Sequence, residues 1–183
     1  MSIKRCFLAL AIAIAPTAAC CAADQLFFGY LNGANESPVP VVSAGTGFAL
    51  VTYSPNTMMM RVQVSFAGLT SGTTASHIHC CFSPPTTTTA IAATTTPFFP
   101  GFPTGVTAGT YDNTFDMTMA SSYSAAFVTA QGSISAALNA LLVGMTNSTA
   151  YFNIHTTNFP GGEIRANMKA DAVFANGFEP VAG

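Results

Sequence analysis

Met58-Met59-Met60-Arg61-Val62-Gln63-Val64-Ser65-Phe66 sets apolar Met60, Val62, Val64 and Phe66 at every second position, with Met59, Arg61, Gln63 and Ser65 between them. A period of two sends the first set to one face of a β-strand and the second to the other. Upstream, Thr46 to Tyr53 alternates around Phe48, Leu50 and Thr52, and Ser54-Pro55-Asn56-Thr57 separates the two runs. Two alternating runs joined by a Pro/Asn turn read as a β-hairpin.

Further strands flank this hairpin. Leu26-Phe27-Phe28-Gly29-Tyr30-Leu31 reads as a strand within Gln25 to Ala34, ended by the turn Asn35-Glu36-Ser37-Pro38-Val39-Pro40. Thr110 to Met119 alternates through Tyr111, Asn113, Phe115 and Met117. Ala150 to His155 and Glu163 to Met168 read as the last two strands, joined by Asn158-Phe159-Pro160-Gly161-Gly162. One stretch breaks the pattern: Ser133 is placed to cap a helix whose Ile134, Ala137, Leu138, Leu141 and Leu142 recur at helical spacing, with a shorter turn of helix over Tyr123 to Thr129. Residues 83–105 form a long Pro/Thr/Phe loop, and Phe98, Phe99 and Phe102 imply either a lid over the sheet or an exposed contact patch. The expected fold is all-β: six to eight antiparallel strands in a β-sandwich or Greek-key barrel, with a small helical insertion and one long Pro/Thr-rich loop.

Hydrophobic residues make up 50% of the 183 residues and charged residues 7%, so the surface has to be built from Thr, Ser, Asn and Gly, as suits an exported all-β protein. Residues 1–22 read as a secretory signal: Lys4 and Arg5, then the apolar Cys6 to Ala15, too short to span a membrane, then small residues. Cleavage is expected after Ala22 or Ala23. Cleavage after Ala19 would leave Cys20 at the new N-terminus, as in a lipid-anchored protein, although Thr17-Ala18-Ala19-Cys20 matches that motif poorly. The β domain then covers 23–170 and a loosely ordered tail 171–183, with no transmembrane segment in the mature chain. Cleavage leaves Arg61, Arg165 and Lys169 against seven acids, a net charge of −4. Without a basic patch, nucleic acid is not an expected partner.

All three histidines fall in two motifs, Ser76-His77-Ile78-His79-Cys80-Cys81 and Asn153-Ile154-His155-Thr156-Thr157. His77 and His79 are two apart, so on a strand both rings project from one face, about 6.5 Å apart at Cα. If His155 lies on a neighbouring strand, three imidazoles suit Zn²⁺ or Cu²⁺, with Asn153 on the same face and Glu163 able to orient a ring. The alternative is that the rings bond backbone groups and pin the sheet. No Ser, Cys or carboxylate is placed as an evident nucleophile beside a histidine base, so an enzyme is not expected.

Cys80 and Cys81 can form a vicinal disulfide clasping the long loop, act as soft metal ligands beside His79, or bridge to Cys20 and Cys21. Glu163 and Arg165 can pair with each other or with Arg61. Met58 and Met60 fit strand core better than a thioether copper site.

Three motifs together resemble the chordin-type, or CHRD, domain family. Leu31-Asn32-Gly33-Ala34-Asn35-Glu36-Ser37-Pro38 with Pro40 resembles its Leu-x-Gly-x-x-Glu-x-Pro-Pro opening, Ser76-His77-Ile78-His79 its Ala-His-Ile-His motif, and Tyr151-Phe152-Asn153-Ile154-His155-Thr156 with Gly162-Glu163-Ile164-Arg165 its closing motif. The resemblance covers Gln25 to Met168. The Thr-Thr-Thr-Pro and Gly-Phe-Pro segments of the loop are similar to those of a bacterial exported subgroup. The resemblance implies secretion and an all-β fold, and carries no established activity. The expected function is therefore an exported, non-enzymatic binding or structural module for an unidentified protein or surface ligand, released, periplasmic or lipid-anchored. The alternative is a Zn- or Cu-binding protein using His77, His79 and His155, with redox activity a further option.

Overall fold

A computed structural model describes residues 22–83 and 89–171. The signal-like segment and nearly all of the tail lie outside these residues.

Eight strands form one antiparallel sheet: β1 (Gln25–Asn32), β2 (Thr46–Ser54), β3 (Met59–Ala67), β4 (Thr73–His79), β5 (Gly109–Asp116), β6 (Tyr151–Thr156), β7 (Ile164–Asn167) and the short β8 (Lys169–Ala170). The order is β4-β6-β7-β1-β2-β3-β5, with β8 paired to β1. The sheet curls into a half-barrel, the barrel-like form of the expected architecture. The β2–β3 hairpin forms as read: Ser54 pairs Met59, Val51 pairs Val62, and Met60, Val62, Val64 and Phe66 are all buried. Met60 is fully buried in the core as read, whereas Met58 lies in the turn before the strand, exposed, with its sulfur 3.1 Å from the Tyr53 hydroxyl, and is not strand core.

The helical insertion is α1 (Ala125–Gln131) and α2 (Ile134–Thr146). Both begin as the sequence dictates: Ser124 accepts from the Phe127 amide and Ser133 from the Ala136 amide. Gly132, with φ +86, ends α1 in the left-handed conformation and lets α2 start two residues later. Leu138, Leu141 and Met145 of α2 and Phe127 of α1 share one hydrophobic core with Phe27, Ile78, Phe152 and Ile154 of the sheet. No single helix among the described residues is long and apolar enough to cross a membrane.

The aromatic loop is a lid on the core. Phe99 is 1% exposed and stacks on Phe152 at 5.8 Å, and Phe102 stacks on Phe66 at 5.6 Å. The same segment bonds to the free edge of β4: the Ser76 amide donates to Pro97 O, the Phe99 amide to Ser76 O, and the Cys80 amide to Ile91 O. These bonds cover a strand edge that would otherwise be open to pairing.

Candidate functional site

Strands β4 and β6 bury both faces. Ile78, Phe152 and Ile154 face the core, so their neighbours in sequence face the opposite side, where loops cover them. The pairing sets His77 across from Asn153, His79 across from Tyr151, and Asn153 across from Arg165 on β7. The result is a second, polar layer built from His77, His79, Tyr151, Asn153, His155 and Arg165.

The three histidines come together as expected. One ring nitrogen from each lies within 4.8 Å of the other two, and the ring centres of His77 and His79 are 4.4 Å apart and those of His77 and His155 4.9 Å apart. Each Nδ1 meets a backbone carbonyl: His77 to Pro97 O at 3.0 Å, His79 to Ala90 O at 2.6 Å, and His155 to Pro160 O at 2.9 Å. A carbonyl only accepts, so Nδ1 carries the proton in all three rings and Nε2 is left as a bare lone pair. Nε2 of His79 and of His155 is buried without a partner. Two of the three carbonyls belong to the long loop and the third to the Pro160-Gly161 turn, so the loops fix the tautomers.

Burial holds all three rings neutral. Desolvation, with the neighbouring His155, lowers His77 to about 4 against the pull of the Pro97 carbonyl. Desolvation and the charges of His77, His155 and Arg165 lower His79 to about 3. Desolvation lowers His155, opposed by the Pro160 carbonyl. Three neutral imidazoles, each held through Nδ1 by a carbonyl, form the donor set and outer support of a protein metal site. Zn–N bonds of about 2.0–2.1 Å in tetrahedral geometry set ligand nitrogens about 3.4 Å apart, so binding an ion draws these nitrogens in from their 4.8 Å limit.

Arg165 and Glu36, both of which the sequence leaves as ordinary polar residues, complete the layer. Arg165 is 1% exposed, with Cζ 3.4 Å over the Tyr151 ring and 5.7 Å from the Phe82 ring centre. Tyr151 stacks on His79 at 4.5 Å with the rings 10° from parallel. Glu36 arrives from the turn after β1. Burial raises its carboxyl to about 7, while the Asn153 side chain, Arg165 and the Ser37 backbone pull it down. Asn153 Nδ2 donates to Glu36 Oε2 at 3.3 Å. Gly162, at φ +126, lies close above this pair: a Cβ there would come within 2.6 Å of Asn153 Oδ1 and 2.8 Å of Glu36 Oε1.

Glu163 does not orient a histidine, nor does it pair with Arg165 or Arg61. It is fully buried and accepts from Ser43 Oγ at 2.6 Å, the Thr70 amide at 2.8 Å, Thr70 Oγ1 at 3.0 Å and Thr156 Oγ1 at 2.6 Å. Its carboxylate therefore ties the segment before β2, the β3–β4 turn and the end of β6 to β7. Burial pushes it up, and the hydrogen bonds together outweigh that and hold it below the usual carboxylate range. Arg61 instead pairs with Asp112 on β5, at 2.7 and 2.5 Å.

Cys80 and Cys81 form the vicinal disulfide, which removes them as thiolate ligands. Their sulfurs lie against α2, 3.4 and 3.5 Å from Ala140 O, under Gly144. Cys80 points to the core side of β4, opposite to His79.

The chain is thus an antiparallel half-barrel with a histidine-rich polar layer under loops. The model of the CHRD domain matches residues 27–168, and the chain belongs to that family. No curated protein and no solved structure matched it. The three motif segments of the resemblance meet in one place: Glu36 from the first, His77 and His79 from the second, and Asn153, His155 and Arg165 from the third.

Proposed function

We propose that this CHRD-domain chain is a non-catalytic binding module that holds one Zn²⁺ or Cu²⁺ at His77, His79 and His155. One observation carries the reading: three buried imidazoles converge, each with its Nδ1 proton spent on a backbone carbonyl. Pinning the sheet explains the carbonyl bonds. It does not explain why Nε2 of His79 and of His155 are buried with no donor, an arrangement in which each acceptor forfeits the water it had when unfolded. A divalent cation satisfies all three at once and leaves a position open for a further ligand. Export of the module, to the periplasm or beyond, is supported by Lys4, Arg5 and the apolar Cys6 to Ala15.

The test is metal content by mass spectrometry on untagged protein expressed in the periplasm, beside the His77→Ala/His79→Ala variant. The reading expects about one Zn or Cu per wild-type chain and none in the variant. It further expects a metal-dependent rise in Tm, equivalent to about 4 kcal/mol at a thousandfold excess over Kd. Wild-type protein that is metal-free and thermally indifferent to both ions would sink the proposal.

A further inference from the structure

The guanidinium of Arg165 is the unusual group that the histidine site does not use. Its Nε, Nη1 and Nη2 are buried and none has a hydrogen-bond partner. A guanidinium keeps its charge in any protein environment, and a buried cation left unpaired is costly by several kcal/mol. Tyr151 covers a face of the group, so its N–H donors, which lie in the guanidinium plane, point past the ring. Glu36 acts on Arg165 electrostatically, yet its hydrogen-bond partner is Asn153. Close by, Glu36 Oε1 and Asn153 Oδ1 are buried acceptors with no donor. The cluster therefore offers a planar fork of donors and two acceptors.

We propose that this cluster is a binding site for a small oxyanion carrying a hydroxyl, of the hydrogenphosphate or hydrogencarbonate class. The bare oxygens accept from Arg165 in the bidentate manner a guanidinium favours, and the hydroxyl donates to Glu36 or Asn153. A simple halide meets only the first need. Glu36 also lines a surface groove of about 710 Å³ bordered by Tyr30, Asn32, Asn35, Asn167 and Lys169. Glu36 is the one member of the cluster that borders this groove. The site stands without the metal, because none of its groups is one of the three histidines.

The experiment uses the full chain stripped of metal with EDTA, titrated with inorganic phosphate and with hydrogencarbonate against chloride at matched ionic strength. Phosphate or hydrogencarbonate is expected to raise Tm saturably. Arg165→Lys, which keeps the charge and loses the fork, is expected to weaken the affinity at least tenfold. A second readout needs no variant: in protein labelled with ¹⁵N-arginine, the Arg165 Nε resonance is expected to move with phosphate while that of Arg61, already paired to Asp112, stays in place. A thermal response no greater than that to chloride, an unmoved Arg165 resonance, or undiminished affinity in Arg165→Lys would each overturn the proposal.

Discussion

Metal-free protein is expected to lose stability in mild acid, and Glu36 to oppose that loss. His77 and His79 titrate at about 4 and about 3 when folded and near 6.5 when unfolded. Between those values the unfolded chain binds the extra protons, so their contribution is present above pH 6.5 and is lost as pH falls toward 4 and 3. His155, also lowered, acts in the same direction. Glu36 runs the other way: raised from 4.5 to about 7, it is protonated first in the folded state, and its contribution is full below pH 4.5 and lost as pH rises through 7. At pH 5.5 the unfolded state thus gains about two protons at His77 and His79, and the folded state about one at Glu36. The net of about one proton gives a slope of about 1.4 kcal/mol per pH unit, or about 3–5 °C in Tm for a domain of this size. Glu36→Gln removes the opposing term and should double the slope to about 2.7 kcal/mol per unit. His77→Gln/His79→Gln leaves Glu36 opposed only by His155 and should reverse the slope, toward about −1.4 kcal/mol per unit less the part His155 supplies. The assay is Tm by circular dichroism from pH 6.5 to 5.0 in EDTA and chloride buffers, a window above the titration of ordinary carboxylates. Equal slopes in all three proteins, or a shallower slope in Glu36→Gln, would refute the assignment of the neutral histidines and the raised glutamate.

Three further outcomes follow from the packing. Glu163→Gln replaces a buried carboxylate oxygen with a donor facing donors, and should cost about 2–4 kcal/mol in urea unfolding at pH 7. Because this carboxylate is held below its usual range, the deficit should shrink as pH falls below about 4.5; a deficit that persists unchanged in acid would argue against the charged form as the acceptor. Phe99→Ala should cost about 3–5 kcal/mol by opening a cavity against Phe152 and Phe115, and should also weaken metal binding, because the same loop presents Pro97 O to His77. A metal affinity equal to that of wild type would separate the lid from the site. Gly144→Ala sets a Cβ 2.5 Å from both disulfide sulfurs and should lower stability by about 1–3 kcal/mol, read as a drop in urea midpoint at constant m.

The sequence by itself determined the strands, because period-two alternation and Pro/Gly turns are local properties. Met60 to Phe66 had to bury one face, Ser133 had to start a helix, and His77 and His79 had to share a side. That the loop aromatics would be a lid and Met60 core followed from hydrophobicity once a sheet existed to receive them, whereas the turn left Met58 exposed. What only the tertiary structure decided is everything that depends on which strands become neighbours. The order β4-β6-β7-β1 brings His155 to His77 and His79, and sets Arg165 beside Asn153 within reach of Glu36, across more than a hundred residues of chain. The choice among Glu163's partners belonged there too: Ser43, Thr70 and Thr156 meet it only because three separate turns close on one strand end. A charged residue at a strand position reads as a surface residue, since nothing local says that loops will bury the second face of the sheet. Burial is set by what packs from elsewhere in the chain, and here it turns seven scattered polar residues into one water-poor site.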